Sequence, residues 1–347
     1  MLTSKHGSTP IVRRRFHINR LGVMLSAAIF VIAAIVLYHI LRDINPRKLL
    51  NALKATDRRT LIIAGCFVAG GYLTLTFYDL FALRTIGRTE IPYRIAALGS
   101  FTSYAVGHNI GASVFSGGAV RYHIYSSRGL SVIDVTKICF VAGLTFWLGN
   151  VTVLGLGILY TPAAGHALDQ LPLWLNRGLG LVLLALLAAY VAWVWTRPRV
   201  IGRDDWQVSL PGGTLTLVQI VIGIVDLSCC AAAMYMLMPD QPNIGFVTVA
   251  VIFVAATLLG FASHAPGGLG VFDAAMLVAL WQFQKEDLLA GLLLFRLLYY
   301  ICPFVLSLIV LGTREVLLNR LTREAAQAAL PPIGAAGKCV GERADLG

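Results

Sequence analysis

The chain has 347 residues, 57% of them hydrophobic and only 13% charged, with a formal net charge of +11. Its mean hydropathy is +0.76, and several apolar stretches reach about 20 residues, the length that spans a hydrocarbon core. A soluble domain carries roughly 25% charged residues, so composition excludes one and predicts an all-α polytopic membrane protein. The basic residues flank apolar runs, where they set topology and attract anionic headgroups. No basic–aromatic module accompanies them, so nucleic acid is not an expected partner.

The tail 1–20 holds Lys5, Arg13, Arg14, Arg15 and Arg20 and no acid, which places the N-terminus in the cytoplasm before a first span over 21–41. Within 42–60, Ile44, Leu49, Leu50 and Leu53 recur at helical spacing, predicting an amphipathic interfacial helix on the outer side, although its basic residues favour the other. A second span, 61–83, ends in the basic loop 84–94. Next comes LGSFTSYAVGHNIGASVFSGGAVRYHIY, residues 98–125. Neither half is long enough to cross, so a hairpin entering from and returning to the cytoplasmic side is expected.

Spans at 131–160, 178–195, 214–238 and 245–263 follow, with outer loops at 161–177 and 239–243. Arg197, Arg199 and Arg203 mark a cytoplasmic loop between them. The stretch SHAPGGLGVFD, 263–273, then interrupts the apolar pattern before a half-span and a last full span at 288–311. The expectation is about seven full spans of roughly 20 residues plus two broken or re-entrant elements, all within a membrane domain over 21–312. The cytoplasmic tail 313–347 is Ala/Gly/Pro-rich at its end, where disorder is expected. No soluble catalytic domain fits there.

The interruptions carry the functional argument. In hydrocarbon every backbone N–H and C=O must be paired, so a helix breaks there only when buried in protein or lining a wet cavity. Pro266 removes a donor, and Gly267 and Gly268 remove the steric bar to unwinding. A helix resuming near Gly268 aims its positive end into the membrane, where it favours an anion; discontinuous helices of this kind are a transporter device. GHNIG (107–111) supplies a GxxxG for close helix approach together with His108 and Asn109, and Gly117 and Gly118 free the backbone just before Arg121. The plainer reading of these glycines is packing and a kink.

Asp79, Asp226, Asp273 and Arg296 fall inside or near the spans. Charges at such depth cost at least about 2.5–3.5 kcal/mol each and face a cavity or a partner. A structural pair of Asp273 with Arg296 is the plain alternative to a polar path, and Asp79, near a span end, is read as snorkelling. The six cysteines form no CxxC pair and read as small packing residues. HExxH, GxSxG and Walker patterns are missing, so neither an enzyme nor ATP use is expected, and no cofactor or metal is.

Two longer stretches carry a resemblance. SYAVGHNIGASVFSGGAVRYHIYSSRGLS (103–131) with FVAGLTFWLG (140–149), and SHAPGGLGVFDA (263–274) with FRLLYYICPF (295–304), resemble the transmembrane region of the lysylphosphatidylglycerol synthetase/flippase family, the multiple peptide resistance factors. The resemblance covers about 20–315. One departure is Asp273, where the family pattern is expected to carry Glu. Full-length members join a flippase-like membrane domain to a cytoplasmic synthase, for which this chain has no room. The resemblance therefore implies lipid handling in a bacterial inner membrane, with both termini cytoplasmic.

On that basis the expected activity is movement of a phospholipid between leaflets, aminoacylated phosphatidylglycerol being one option. Arg121, Arg296 and the half-helix N-termini take the phosphate. Asp226 and Asp273 meet a cationic or amino headgroup, and His108, Asn109 and His264 line the path as neutral hydrogen-bonding groups, with Tyr299 beside Arg296. The alternative is a non-catalytic membrane partner of a separate lipid synthase or glycosyltransferase. Membrane phospholipids are the expected partners, with a lipid synthase or a second copy of the chain as further options.

Overall fold

The computed structural model describes residues 46–110, 113–169, 171–197, 199–203 and 206–328. The expected first span and the tails 1–20 and 329–347 lie outside them. The described chain is all-α apart from one small hairpin of strands, and five of its helices are long and apolar enough to cross a membrane.

Helix α1 (Pro46–Ala55) is the expected amphipathic segment and packs on the later helical segment Lys285–Arg296. Helix α2 (Arg58–Thr85) buries Val68, Tyr72, Leu75, Asp79 and Ala82, a stripe at steps of three and four that lays one face on the bundle. The predicted hairpin follows as α3 (Tyr93–Ile110) and α4 (Ser113–Ser126), packed side by side. At 1.5 Å per residue the arms reach about 27 and 21 Å, short of a crossing.

Helix α5 (Val132–Tyr160) starts at a capping box, in which the Asp134 N–H donates to Ser131 Oγ (3.2 Å) and the Ser131 N–H to Asp134 Oδ2 (2.9 Å). A short α6 (Pro162–Asp169) lies in the expected outer loop, and α7 (Leu173–Thr196) begins earlier than hydropathy alone suggests. Of the most apolar window of α7 only 11% is buried, against 50% in α5 and in α8 (Gly213–Leu237). Helix α7 therefore presents its sides to lipid while α5 and α8 form the core. Between α7 and α8 the basic loop folds into antiparallel β1 (Val200–Arg203) and β2 (Trp206–Ser209), an element without a sequence expectation. Val208 is buried there and Trp206 meets Phe140 edge-on at 5.7 Å between centroids.

The expected span at 245–263 is corrected. Helix α9 (Phe246–Ala262) has 17 residues, about 25 Å, and forms the first arm of a second hairpin. A 3-10 turn at Pro266–Gly268 and the nine-residue α10 (Val271–Ala279) complete it, with α10 packed on α9. The last crossing is α11 (Lys285–Arg296), a π-turn (Leu297–Ile301) and α12 (Cys302–Ala328). Its helix runs well past the expected end near 311.

Counting crossings along the chain puts the two hairpins on opposite faces of the bundle. The first enters from the face holding the 86–92 loop, where Arg88 pairs with Asp134 at 2.9 Å. The second enters from the face of residues 238–245. Their tips meet inside: a Cβ on Gly267 would lie 3.4 Å from the His108 carbonyl oxygen.

Candidate functional site

Where the tips meet, the backbone leaves the regular helix and side chains complete its hydrogen bonding. Helix α9 closes with His264 at φ 56°, and Gly267, Gly268 and Gly270 continue at 59°, 60° and 80°. The left-handed region costs a non-glycine residue energy, which is why three of these four positions are glycine. Across the junction the π-turn carbonyls accept tertiary donors: Tyr72 OH donates to Tyr299 O (3.0 Å) and Asn109 Nδ2 to Tyr300 O (3.0 Å). Irregular backbone at membrane depth is tolerated when buried in protein in this way.

Beside the junction lies a cavity of about 300 Å³ lined by residues of α2, α3, α4, α5, α8, α9, α10, the turn between α9 and α10, and the π-turn. Its wall is largely aromatic and aliphatic, and it also carries Arg121, Asp226, His108, His264 and Tyr299. Phe115 and Trp147, both exposed, line it as well. His108 packs its ring on Tyr299 at 5.9 Å and 21°, and its Nδ1 is buried without a hydrogen-bond partner.

Two buried ion pairs brace the hairpins. Arg121 on α4 clasps Asp79 on α2, with Nη2 to Oδ1 at 2.7 Å and Nε to Oδ2 at 2.9 Å. Tyr125 OH adds 2.7 Å to Oδ2, and the guanidinium stands over the Tyr104 ring at 4.8 Å. Arg296 on α11 clasps Asp273 on α10, with Nη2 to Oδ2 at 2.6 Å and Nε to Oδ1 at 2.9 Å. Arg296 Nη1 also donates to Gly267 O at 3.1 Å. The first pair ties the first hairpin to a preceding span, the second pair the second hairpin to a following one.

Several expectations change here. Asp79 does not snorkel: it is wholly buried and is the partner of Arg121. Asp273 and Arg296 are outside the cavity wall and bound to each other. The N-terminus of α10 does not await an external anion, because the Gly270 N–H donates to Asp273 Oδ2 at 3.1 Å. Gly117 and Gly118 lie inside α4 and break nothing. Ser103 Oγ donates to Gly117 O at 2.9 Å, and a Cβ on Gly117 would lie 2.8 Å from Ser103 Oγ, so Gly117 allows α3 and α4 to touch. Asn109 pins the π-turn and does not line the cavity. Arg121, Asp226, His108, His264, Tyr299, Gly267 and Gly268 are brought to one cavity wall, and exposed Pro266 stands at the turn beside it.

Asp226, midway along α8, accepts from Tyr78 OH (3.0 Å) and sits 3.2 Å from Thr74 Oγ1. Tyr78 and Thr74 escaped the sequence reading, having nothing to distinguish them from belt or packing residues. Gly143 and Cys230 in the same wall escaped it likewise. No group of three or more potential metal-ligating side chains gathers among the described residues.

Among the described residues, five membrane-capable helices around two opposed, ion-paired hairpins and a partly polar cavity define an all-α integral membrane protein. Comparison with known proteins gives its family: residues 23–307 match the lysylphosphatidylglycerol synthase TM region, and the chain belongs to that family. It is 29% identical to the inner membrane protein YbhN of Escherichia coli over 84% of this chain and 91% of that protein. It is also 29% identical to the uncharacterized protein slr0712 of Synechocystis sp., over 75% and 82%. A phosphatidylglycerol lysyltransferase of Staphylococcus haemolyticus is 28% identical over 83% of this chain, which spans 33% of that enzyme.

Proposed function

We propose that the chain is a phospholipid translocator of a bacterial inner membrane, in which the cavity between the hairpin tips receives the headgroup while the acyl chains stay in lipid. The observation that carries this is the cavity itself. Its volume of about 300 Å³ is at the small end of ligand pockets, suited to a polar headgroup. Polar groups at membrane depth mark a substrate path by default. The kinship with YbhN and with part of a phosphatidylglycerol lysyltransferase supports an inner-membrane location and a lipid substrate, with aminoacylated phosphatidylglycerol as one option. Arg84, Arg88, Arg94, Arg197 and Arg199 share the face from which the first hairpin enters, and the positive-inside rule assigns that face to the cytoplasm. The lysyltransferase kinship also supports a second reading, a non-catalytic membrane partner of a separate lipid synthase.

Gly143 allows a clean test. It lines the cavity, and a Cβ there meets nothing within 4 Å, so Gly143→Phe fills the cavity without a backbone clash. Proteoliposomes carrying headgroup-labelled phosphatidylglycerol or its lysyl derivative are exposed to a membrane-impermeant quencher. The expected result is leaflet exchange with the wild type and its loss in Gly143→Phe at an unchanged unfolding temperature. Exchange no faster than in empty liposomes, for every lipid, turns the assignment to the membrane-partner reading.

A further inference from the structure

Among the described residues, three carboxylates are buried among the membrane helices: Asp79, Asp226 and Asp273. Two of them hold an arginine through two hydrogen bonds or more. Asp226 holds none. Its surroundings contribute only groups that are neutral in their ordinary state: Tyr72, Thr74 and Tyr78 from α2, Tyr104 from α3, Cys229 and Cys230 from α8 itself, and Tyr299 from the π-turn. Arg121, His108 and His264 share the cavity wall with it, but Arg121 is clasped by Asp79.

The hydrogen count at Asp226 is informative. Thr74 Oγ1 lies 2.6 Å from Gly71 O and 3.2 Å from Asp226 Oδ1. A hydroxyl has one proton, so Thr74 gives it either to the Gly71 carbonyl or to the carboxyl group. In the first case the Thr74–Asp226 contact is closed by a proton on Asp226 Oδ1; in the second an ionised Asp226 accepts from both Thr74 and Tyr78. The site therefore satisfies its hydrogen bonding with Asp226 either protonated or ionised, as a site that takes up and releases a proton requires. A hard metal cation fits poorly, since Ca²⁺ or Mg²⁺ takes about six or more oxygen ligands. A proton needs one acceptor.

We propose that Asp226 is a proton-binding site of the cavity, and that lipid movement proceeds with uptake and release of a proton there. On uptake a hydronium ion in the cavity gives its proton to Oδ1, an O–H bond forms, and water is left. On release the O–H bond breaks, the proton returns to water, and a carboxylate stands in the cavity wall. The proton site stands on the local geometry alone; its coupling to movement rests on the translocator reading.

Infrared difference spectra of the purified protein, in a detergent without ester carbonyls, test the site. Spectra are taken from about pH 4 to about pH 9, the range in which buried carboxyls titrate. The wild type is expected to show a carboxylic-acid C=O band that shifts in D₂O and fades as pH rises. Asp226→Asn, whose amide N–H can still reach Thr74, is expected to lose it, and Asp226→Glu to keep a titrating band. Wild-type and Asp226→Asn spectra that coincide at every pH overturn the proposal, and so does a band that never titrates. For coupling, proteoliposomes with headgroup-labelled phosphatidylglycerol are given a pH difference across the membrane. Exchange that responds in the wild type and not in Asp226→Asn supports it, and exchange indifferent to the gradient in both overturns it. A titrating band with no lipid exchange at all supports the proton site and overturns the translocator reading.

Discussion

At the scale of single residues, charge pairing decides what each buried ion is for. Arg121 and Asp79 are both almost inaccessible, 5% and 0% exposed, and each is the other's compensation. Removing one partner of such a pair leaves an uncompensated charge and costs about 3–5 kcal/mol, whereas replacing both by apolar groups of similar size is often close to neutral. Asp79→Leu alone is therefore expected to lower the thermal unfolding midpoint sharply, and Asp79→Leu with Arg121→Met to recover most of the loss. A double variant as unstable as the sum of the singles would sink this account. Sequence set Asp79 among the charges near the spans, read it as snorkelling, and gave Arg121 to a phosphate; it did not pair the two. A hydropathy window closes the second span near 83 and leaves Asp79 close to water. In the folded chain α2 continues to Thr85 and the first hairpin covers the carboxylate.

At the scale of elements, glycine spacing sets how closely helices approach. Helices α5 and α8 touch at Gly149 and Gly223, where a Cβ on Gly149 would lie 2.7 Å from the Gly223 Cα. Neither backbone can yield there as a flexible side chain does, so Gly149→Ala must push the helices apart. Overpacking of this kind costs about 1–3 kcal/mol. Thermal melts in detergent are expected to show a clear drop for Gly149→Ala and none for Gly143→Ala, which has open space around its Cβ; equal midpoints would contradict the close contact. The misread element was α9. Its 17 residues are apolar enough to pass for a span, because hydropathy does not distinguish a helix in lipid from an arm sheathed by other helices. The first hairpin was legible because polar residues and a broken apolar run leave neither half able to cross.

At the scale of the whole molecule, hairpins entering from opposite faces place a cavity between their tips. The water-filled path of the translocator reading predicts a pattern of thiol reactivity. With the native cysteines replaced, Thr257→Cys in the cavity wall is expected to react with a small membrane-impermeant cationic thiol reagent. Val225→Cys, on the outward, exposed side of the same membrane bundle, is expected to react far more slowly, since a thiolate does not form in hydrocarbon. Labelling of Val225→Cys at the rate of Thr257→Cys would contradict a wet cavity at this place.

Sequence by itself determined that this is an all-α membrane protein, roughly where its helices run, where the apolar pattern breaks, and which charges need an explanation. Those properties are local: a bilayer penalises each polar group and each unpaired amide wherever it occurs in the chain. Only the tertiary structure decided which aspartate meets which arginine, that the two hairpin tips touch, and that Asp226 faces the cavity without a cation. Arg121 and Asp79 are 42 positions apart, and Tyr72 and Tyr299 are 227 apart. The choice of partner over such separations is made by helix packing, which no local pattern encodes.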